Sequence, residues 1–138
     1  SQASQGATGR LLLALGNSHD SVALQKTLNR LGYHTTLVHR GDDAIQHAQH
    51  TPHDALIVET HLPLMDGVQL YESLRNLQPD VETVLITPRP QQETDLIEEG
   101  IRNSVTACLI KPVDLTEIVS VLSGILKRKA GKADALEN

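Results

Sequence analysis

The sequence predicts an α/β fold, a three-layer sandwich in which helices cover both faces of a parallel sheet. Five short apolar segments alternate along the chain with five longer amphipathic segments, and the connections between them are short. Successive β-α units of this kind build one parallel sheet with helices on both sides. At 138 residues, the chain is long enough for one domain with its own core.

The first two units begin with an uninterrupted aliphatic run. Residues 11–15, LLLAL, predict a central strand, because a strand covered on both faces needs no polar alternation. Ser18 offers a helix cap, and apolar residues then recur at helical spacing until Gly32. Residues 34–38, HTTLV, are more polar and predict an edge strand, followed by a weaker helix over 42–49. The apolar residues of the first helix are Val22, Leu24, Leu28 and Leu31.

The other three units follow the same alternation. Their strands are predicted at 55–58, 81–87 and 107–110, and their helices at 68–77, 94–101 and 115–126. The inward-facing residues predicted for the third and last helices are Leu70, Leu74, Leu77, Leu115, Ile118, Val119, Leu122 and Ile125. We expect the folded domain to span 10–129, with 1–9 a linker or cloning remnant and 130–138 a flexible tail or linker.

Composition argues against several classes of function. The formal net charge is −5 and the pI is near 5.7, so no attraction to nucleic acid or to an anionic membrane is expected. Two Tyr and no Phe or Trp leave almost no platform for stacking bases. No apolar run reaches the roughly 20 residues that span a bilayer. The lone Cys108 excludes an internal disulfide and favours a reducing, cytoplasmic location.

Chemically informative residues follow three of the predicted strands. Glu59 closes the third strand within residues 54–67, DALIVETHLPLMDG, Thr87 closes the fourth, and Lys111 follows the fifth. Ligands of open parallel sheets bind beyond the carboxyl ends of the strands, so these side chains are expected at the position of a functional site.

The order of these features resembles the receiver domains of two-component response regulators over about residues 10–128. The matching features are the first strand and helix up to Leu31-Gly32-Tyr33, DALIVE followed by LPLMDG, Thr87, and Lys111-Pro112. The resemblance implies the flavodoxin-like strand order 2-1-3-4-5 and a cis peptide bond before Pro112.

The resemblance also implies a role for each position at the strand ends. In the family, an aspartate on the third strand accepts a phosphoryl group, and an acidic pair after the first strand helps it to hold Mg²⁺. A lysine and a Thr or Ser hydroxyl then contact the phosphoryl group. The phosphoacceptor position is Glu59 here, and the hydroxyl and the lysine are Thr87 and Lys111. The positions of the acidic pair and of the switch aromatic are replaced by Leu15, Gly16 and Cys108.

These replacements predict a degenerate pseudo-receiver. Leu15 and Gly16 have no side-chain ligands for a hard cation, so we expect Mg²⁺ binding to be weak or absent and no other cofactor to be bound. Glutamate is one methylene longer than aspartate, and misplacing a reacting group on that scale costs about a hundredfold in rate. We therefore expect no enzymatic activity and a phosphorylation-independent role in protein interaction.

Other interpretations remain open. A working phosphoacceptor would use Glu59 or Asp66, although Asp66 is better explained as the N-cap of the third helix. A flavodoxin-like cofactor site lacks a Gly-rich phosphate loop. The histidines are expected to be solvated rather than to bind metal, and Cys108 to be a small buried strand residue. The histidines concerned are His47, His50, His53 and His61.

The expected partners are proteins of a two-component system. They are a histidine kinase, a phosphotransfer protein or a linked output domain, as the resemblance implies. The expected contact surface is formed by the fourth and fifth helices and the strand between them, which is also a candidate homodimer surface. Neither nucleic acid nor a membrane is expected to bind this domain.

Overall fold

A computed structural model describes residues 9–137 of the chain, without the side chain of the last of them. Its elements, in chain order, are β1 (Arg10–Ala14), α1 (His19–Arg30), β2 (His34–Val38), α2 (Gly41–His50), β3 (Ala55–Glu59), β4 (His61–Leu62), β5 (Met65–Asp66), α3 (Gly67–Leu77), β6 (Glu82–Thr87), α4 (Thr94–Arg102), β7 (Ala107–Ile110) and α5 (Leu115–Glu137).

Five of the strands form one parallel sheet in the order β2-β1-β3-β6-β7. Numbered among themselves, these strands follow the order 2-1-3-4-5, so the predicted fold is confirmed. The antiparallel hairpin of the two-residue strands β4 and β5, which follows β3 and precedes α3 along the chain, was not predicted.

Successive side chains of the central strands point to opposite faces of the sheet and pack into two separate hydrophobic cores. Leu11 and Leu13 of β1 face α1 and α5, whereas Leu12 and Ala14 face α2 and α3. Every residue of β3 is buried, because β1 and β6 flank it and helices cover both of its faces. The continuous aliphatic runs of β1 and β3 therefore reflect their central positions in the sheet.

Helix ends follow the local chemistry of the chain. The Ser18 hydroxyl accepts a hydrogen bond from the Ser21 amide and caps α1. Gly32, with φ of 101°, adopts the left-handed conformation that follows the helix end. Asp66 and Gln69 form a reciprocal capping box at the start of α3, which confirms the N-cap interpretation of Asp66.

Several predicted details were wrong. Residues 130–137, expected to be unstructured, continue α5 as helix, and the residues up to 136 are exposed, so no apolar stripe marks them. Their role as a linker and the domain boundary stay predictions, and residues 1–8 lie outside the described part. Three leucines predicted on or near inward faces lie near helix ends and are more than 40% exposed, namely Leu31, Leu77 and Leu115.

Within 9–137, no helix combines the length and the apolar character needed to cross a membrane.

Candidate functional site

The side chain of Glu59 is held between two partners at the carboxyl end of β3. Its Oε2 atom lies 3.1 Å from Nζ of Lys111, and its Oε1 atom accepts a hydrogen bond of 2.9 Å from the Gly16 amide. The residue is only 8% exposed, whereas about a third of the Lys111 side chain reaches solvent. The structure thus brings together two of the predicted site residues, through an ion pair that is partly shielded from water.

Main-chain packing fixes the positions of both partners. Glu59 pairs with Ile86 of β6, and its carbonyl oxygen lies against Gly67, where an added Cβ would come within 2.5 Å. A side chain at position 67 would therefore collide with the main chain of β3. The Lys111 amide donates to the Thr87 carbonyl (2.9 Å), and the peptide bond between Lys111 and Pro112 is cis, as the resemblance implied.

The main-chain carbonyl oxygens at the two replaced positions both have polar neighbours. Leu15 is buried, and its carbonyl oxygen lies 2.8 Å from Nδ1 of His39. The Gly16 carbonyl accepts a short hydrogen bond of 2.6 Å from the Ser21 hydroxyl. The main-chain carbonyls that could have replaced the missing carboxylates therefore already have partners.

This donor set does not fit Mg²⁺. The ion demands near-octahedral oxygen coordination, usually with one or two carboxylates. Here the carboxylate of Glu59 has both oxygens engaged, by Lys111 and by the Gly16 amide. Within residues 9–137, no group of three or more His, Cys, Asp or Glu side chains is arranged to hold a metal ion.

Thr87 and Cys108 occupy the remaining predicted positions. Thr87 is fully buried, and its hydroxyl accepts a hydrogen bond from the Arg89 amide (3.2 Å), so it is engaged with its own loop. Cys108 is half-buried on β7, which makes it less enclosed than predicted. Burial raises the pKa of the Cys108 thiol, and the nearby Glu93 carboxylate adds to this effect. The thiol is therefore a poor source of thiolate.

A second polar cluster, which the sequence did not reveal, lies beside the first. Glu93, immediately before α4, is only 5% exposed, and its Oε2 atom accepts a hydrogen bond from the Thr60 hydroxyl. The same oxygen lies 3.5 Å from Nε2 of His61, whose ring is largely exposed. Glu93 stands in a polar segment, QQETD, where nothing distinguishes it from its neighbours. The cluster ties the β6–α4 loop to the end of β3.

The histidines divide into two groups. His47, His50 and His61 are exposed, as expected. His53 is buried, so the expectation that it is solvated was wrong. Its Nδ1 atom has no hydrogen-bond partner among the described residues, and burial lowers its pKa. His53 precedes the start of β3, so it lies at the amino end of the strand and not at the carboxyl end, where Glu59 is found.

Sequence comparison supports the resemblance. The sequence-family model of the response regulator receiver domain matches residues 19–123 of this chain. The transcriptional regulatory protein PrrA of Mycobacterium leprae is 25% identical over 124 residues, which cover 90% of this chain and 52% of that protein. The response regulator receiver protein CpdR of Brucella abortus is 27% identical over 117 residues, which cover 85% of this chain and 96% of that protein. The chain thus spans about half the length of the first curated relatives it matches.

Solved structures agree with the fold. The receiver domain of the sensor histidine kinase PA1611 from Pseudomonas aeruginosa, which has a magnesium ion coordinated in its active site cleft, matches with a TM-score of 0.76 and 25% identity, covering 88% of this chain and 99% of that one. A CheY-like receiver domain from Methanospirillum hungatei matches with a TM-score of 0.84 and 15% identity, covering 91% of this chain and 99% of that one. With more than half of its length matched by the family model, the chain belongs to the response regulator receiver domain family.

Proposed function

We propose that this receiver domain is a degenerate variant, which signals by binding proteins and does not depend on a phosphorylation cycle. The observation that carries the proposal is the contact of Glu59 with both Lys111 and the Gly16 amide. A carboxylate already occupies the place where a phosphorylated side chain would meet the lysine. The function then rests on a fixed charge arrangement rather than on a transient one.

The charge arrangement supports a constitutive conformation. A phosphoaspartate would place negative charge beyond the end of β3, beside the lysine and the switch hydroxyl. The longer Glu59 side chain places a permanent negative charge 3.1 Å from Lys111. This charge either imitates part of the phosphorylated state or locks one conformer through the ion pair. Both versions leave the domain in one signalling state.

The replaced metal ligands support the same proposal. Phosphoryl transfer depends on a cation that offsets charge on the transferring group. Leu15 is apolar, Gly16 has no side chain, and their carbonyl oxygens have other partners. We therefore propose that Mg²⁺ binds weakly or not at all, and that the domain is not an enzyme.

The proposed partners are proteins of a two-component system in the cytoplasm: a histidine kinase, a phosphotransfer protein or a linked output domain. The proposed contact surface comprises α4, β7 and α5. It exposes apolar side chains on all three elements, namely Ile101 of α4, Ile110 of β7, and Leu115 and Leu136 of α5. The same surface is the proposed site of homodimer contacts.

Amide chemical shifts test the proposal directly. The wild-type domain is titrated with Mg²⁺ and either acetyl phosphate or beryllofluoride, and we expect no saturable shift around Thr87 and Lys111. The positive control is a triple variant, Leu15→Asp, Gly16→Asp and Glu59→Asp, which restores the acidic positions of the family. The atoms nearest to an added Cβ at Gly16 belong to Glu59 and lie 3.5 Å away or more, so that substitution has room.

Saturable shifts in the wild-type domain, or a covalent phosphoryl adduct seen by mass spectrometry, would contradict the proposal. An adduct on Glu59 or Asp66 would establish the second candidate function, a working phosphoacceptor. Matches to relatives described as response regulators are the observation that favours this alternative.

A further inference from the structure

An open cleft of about 480 Å³ lies between α1 and the loop that joins β7 to α5. Its volume is within the roughly 300–1,000 Å³ typical of small-molecule sites. The larger apolar side chains that line it are Leu15, Leu24, Ile86, Pro112, Val113 and Leu115, and Ala23 lines it as well. Leu15 therefore contributes an apolar wall at the position where the family has an acidic ligand.

One face of α1 forms a graded wall of this cleft. Asp20, Leu24 and Thr27 are three to four residues apart, so they lie above one another on the helix. Asp20 is exposed at the first turn, and Leu24 is half-buried one turn further along. Between Asp20 and Leu24 the wall thus changes from a charged rim to an apolar interior, and the polar Thr27 follows one turn further along.

The ionised groups of the cleft carry a net negative charge. Its lining includes two carboxylates, Asp20 and Glu59, and one ammonium group, Lys111, which gives −1 in total. The charge of Lys111 is already matched by Glu59 at 3.1 Å. The positive end of the α1 dipole is faced by Asp20 in its first turn. With Glu59 and Lys111 paired, the Asp20 carboxylate at the rim, which has no ion pair among the described residues, would repel a bound anion and attract a bound cation.

From this geometry we infer that the cleft binds small aliphatic ammonium compounds. The hydrocarbon chain occupies the apolar interior beside Leu24 and Val113, and the ammonium group stays at the rim near Asp20, where it keeps part of its hydration. The inference does not depend on the absence of a phosphorylation cycle. It assigns a ligand class to a cleft whose residues no longer suit a divalent metal.

The test uses n-butylammonium and n-hexylammonium, with n-hexanol and hexanoate as probes of equal chain length. We expect saturable amide shifts at Leu24 and Val113 with the ammonium compounds. Each added methylene should raise the affinity about fourfold, the equivalent of about 0.8 kcal/mol. Hexanoate should bind up to about fivefold more weakly than hexylammonium, since a contact between exposed charges contributes about 0.2–1 kcal/mol.

Matched substitutions on α1 locate the site. Ala23 is exposed and lines the cleft, so Ala23→Phe should fill the entrance and weaken hexylammonium binding at least tenfold. Val22→Phe, at an exposed position outside the cleft lining, should leave binding unchanged. Asp20→Asn should weaken binding of hexylammonium but not of hexanol. Equal or tighter binding of hexanoate, indifference to Ala23→Phe, or the absence of saturable shifts would each overturn the inference.

Discussion

The Nζ atom of Lys111 lies 3.1 Å from Oε2 of Glu59, a carboxylate whose side chain is only 11% exposed. Replacing Lys111 with Met would leave this carboxylate enclosed, with the Gly16 amide as its remaining partner. We expect Lys111→Met to lower the free energy of unfolding by about 1–3 kcal/mol at pH 7, because an uncompensated charge stays partly buried. Urea denaturation measures the change.

Lys127→Met is the control for that substitution, since Lys127 is exposed on α5. It should change the free energy of unfolding by less than about 0.5 kcal/mol. Equal effects of the two substitutions would show that the contact between Lys111 and Glu59 contributes nothing to stability.

The contact between Glu93 and the Thr60 hydroxyl leads to a second prediction. Glu93→Ala removes the acceptor of a fully buried hydroxyl, at a cost of about 1–3 kcal/mol. Part of this cost is offset, because the substitution also removes a buried carboxylate whose Oε1 atom has no partner among the described residues. It also releases the loop between β6 and α4. We expect faster amide hydrogen exchange at Gln92 and a lower urea midpoint. Glu98→Ala, at an exposed position on α4, should change neither quantity. Unchanged exchange at Gln92 would refute the role of Glu93 in holding the loop.

The ion pair could be predicted from the sequence, but its hydrogen-bonded surroundings could not. Glu59 and Lys111 both lie at the ends of apolar strand segments, and all strands of a parallel sheet end on the same side. Their side chains can therefore meet although β6 lies between β3 and β7. Glu93 lies in a loop, where no periodicity determines which side chain turns inward. Its burial depends on tertiary contacts with Thr60 and His61, which come from a distant part of the chain.

The end of α5 could not be predicted from the spacing of apolar residues. Apolar spacing identifies the helix only while one face packs on the core, as Ile118, Leu122 and Ile125 do. Beyond Arg128 the helix is largely exposed, so its sequence carries no inward face, and Gly131 has the low helix propensity of a terminator. Hydrogen bonds within the helix continue where it makes no tertiary contacts. The spacing of apolar residues cannot reveal such an exposed part of a helix.

A third prediction concerns the contact of α5 with the sheet. The Arg128 guanidinium donates two hydrogen bonds to Glu82, at 2.7 and 3.2 Å. Burial raises the pKa of Glu82, but Arg128 and the Thr106 hydroxyl outweigh it and bring the pKa below its ordinary 4.5. Because Arg128 is half-exposed, Arg128→Met should cost only about 0.2–1 kcal/mol at pH 7.

The pH dependence of the Arg128 effect follows from the lowered pKa. The stabilisation is complete above pH 4.5 and is lost as the pH falls through the pKa of Glu82 in the folded protein. The difference in unfolding free energy between wild type and Arg128→Met should therefore narrow as the solution is acidified below that value. A constant difference from pH 7 to pH 3, measured by urea denaturation, would contradict an ionic contribution.

A fourth prediction concerns His53, whose ring is buried with an unpartnered Nδ1 atom. Burial lowers the pKa of His53 below its ordinary 6.5; the positive charges of His47 and Arg10 lower it further, and Asp54 opposes them. Below pH 6.5 the unfolded chain binds a proton at this position that the folded protein excludes. The free energy of unfolding therefore decreases as the pH is lowered. One proton accounts for a change of up to about 1.4 kcal/mol in the free energy of unfolding per pH unit.

His53→Leu should remove this loss of stability between pH 7.5 and 5, as followed by urea midpoints. His50→Leu, at an exposed position, should keep the wild-type dependence of stability on pH. Parallel profiles for wild type and His53→Leu would mean that another group is responsible for the acid sensitivity.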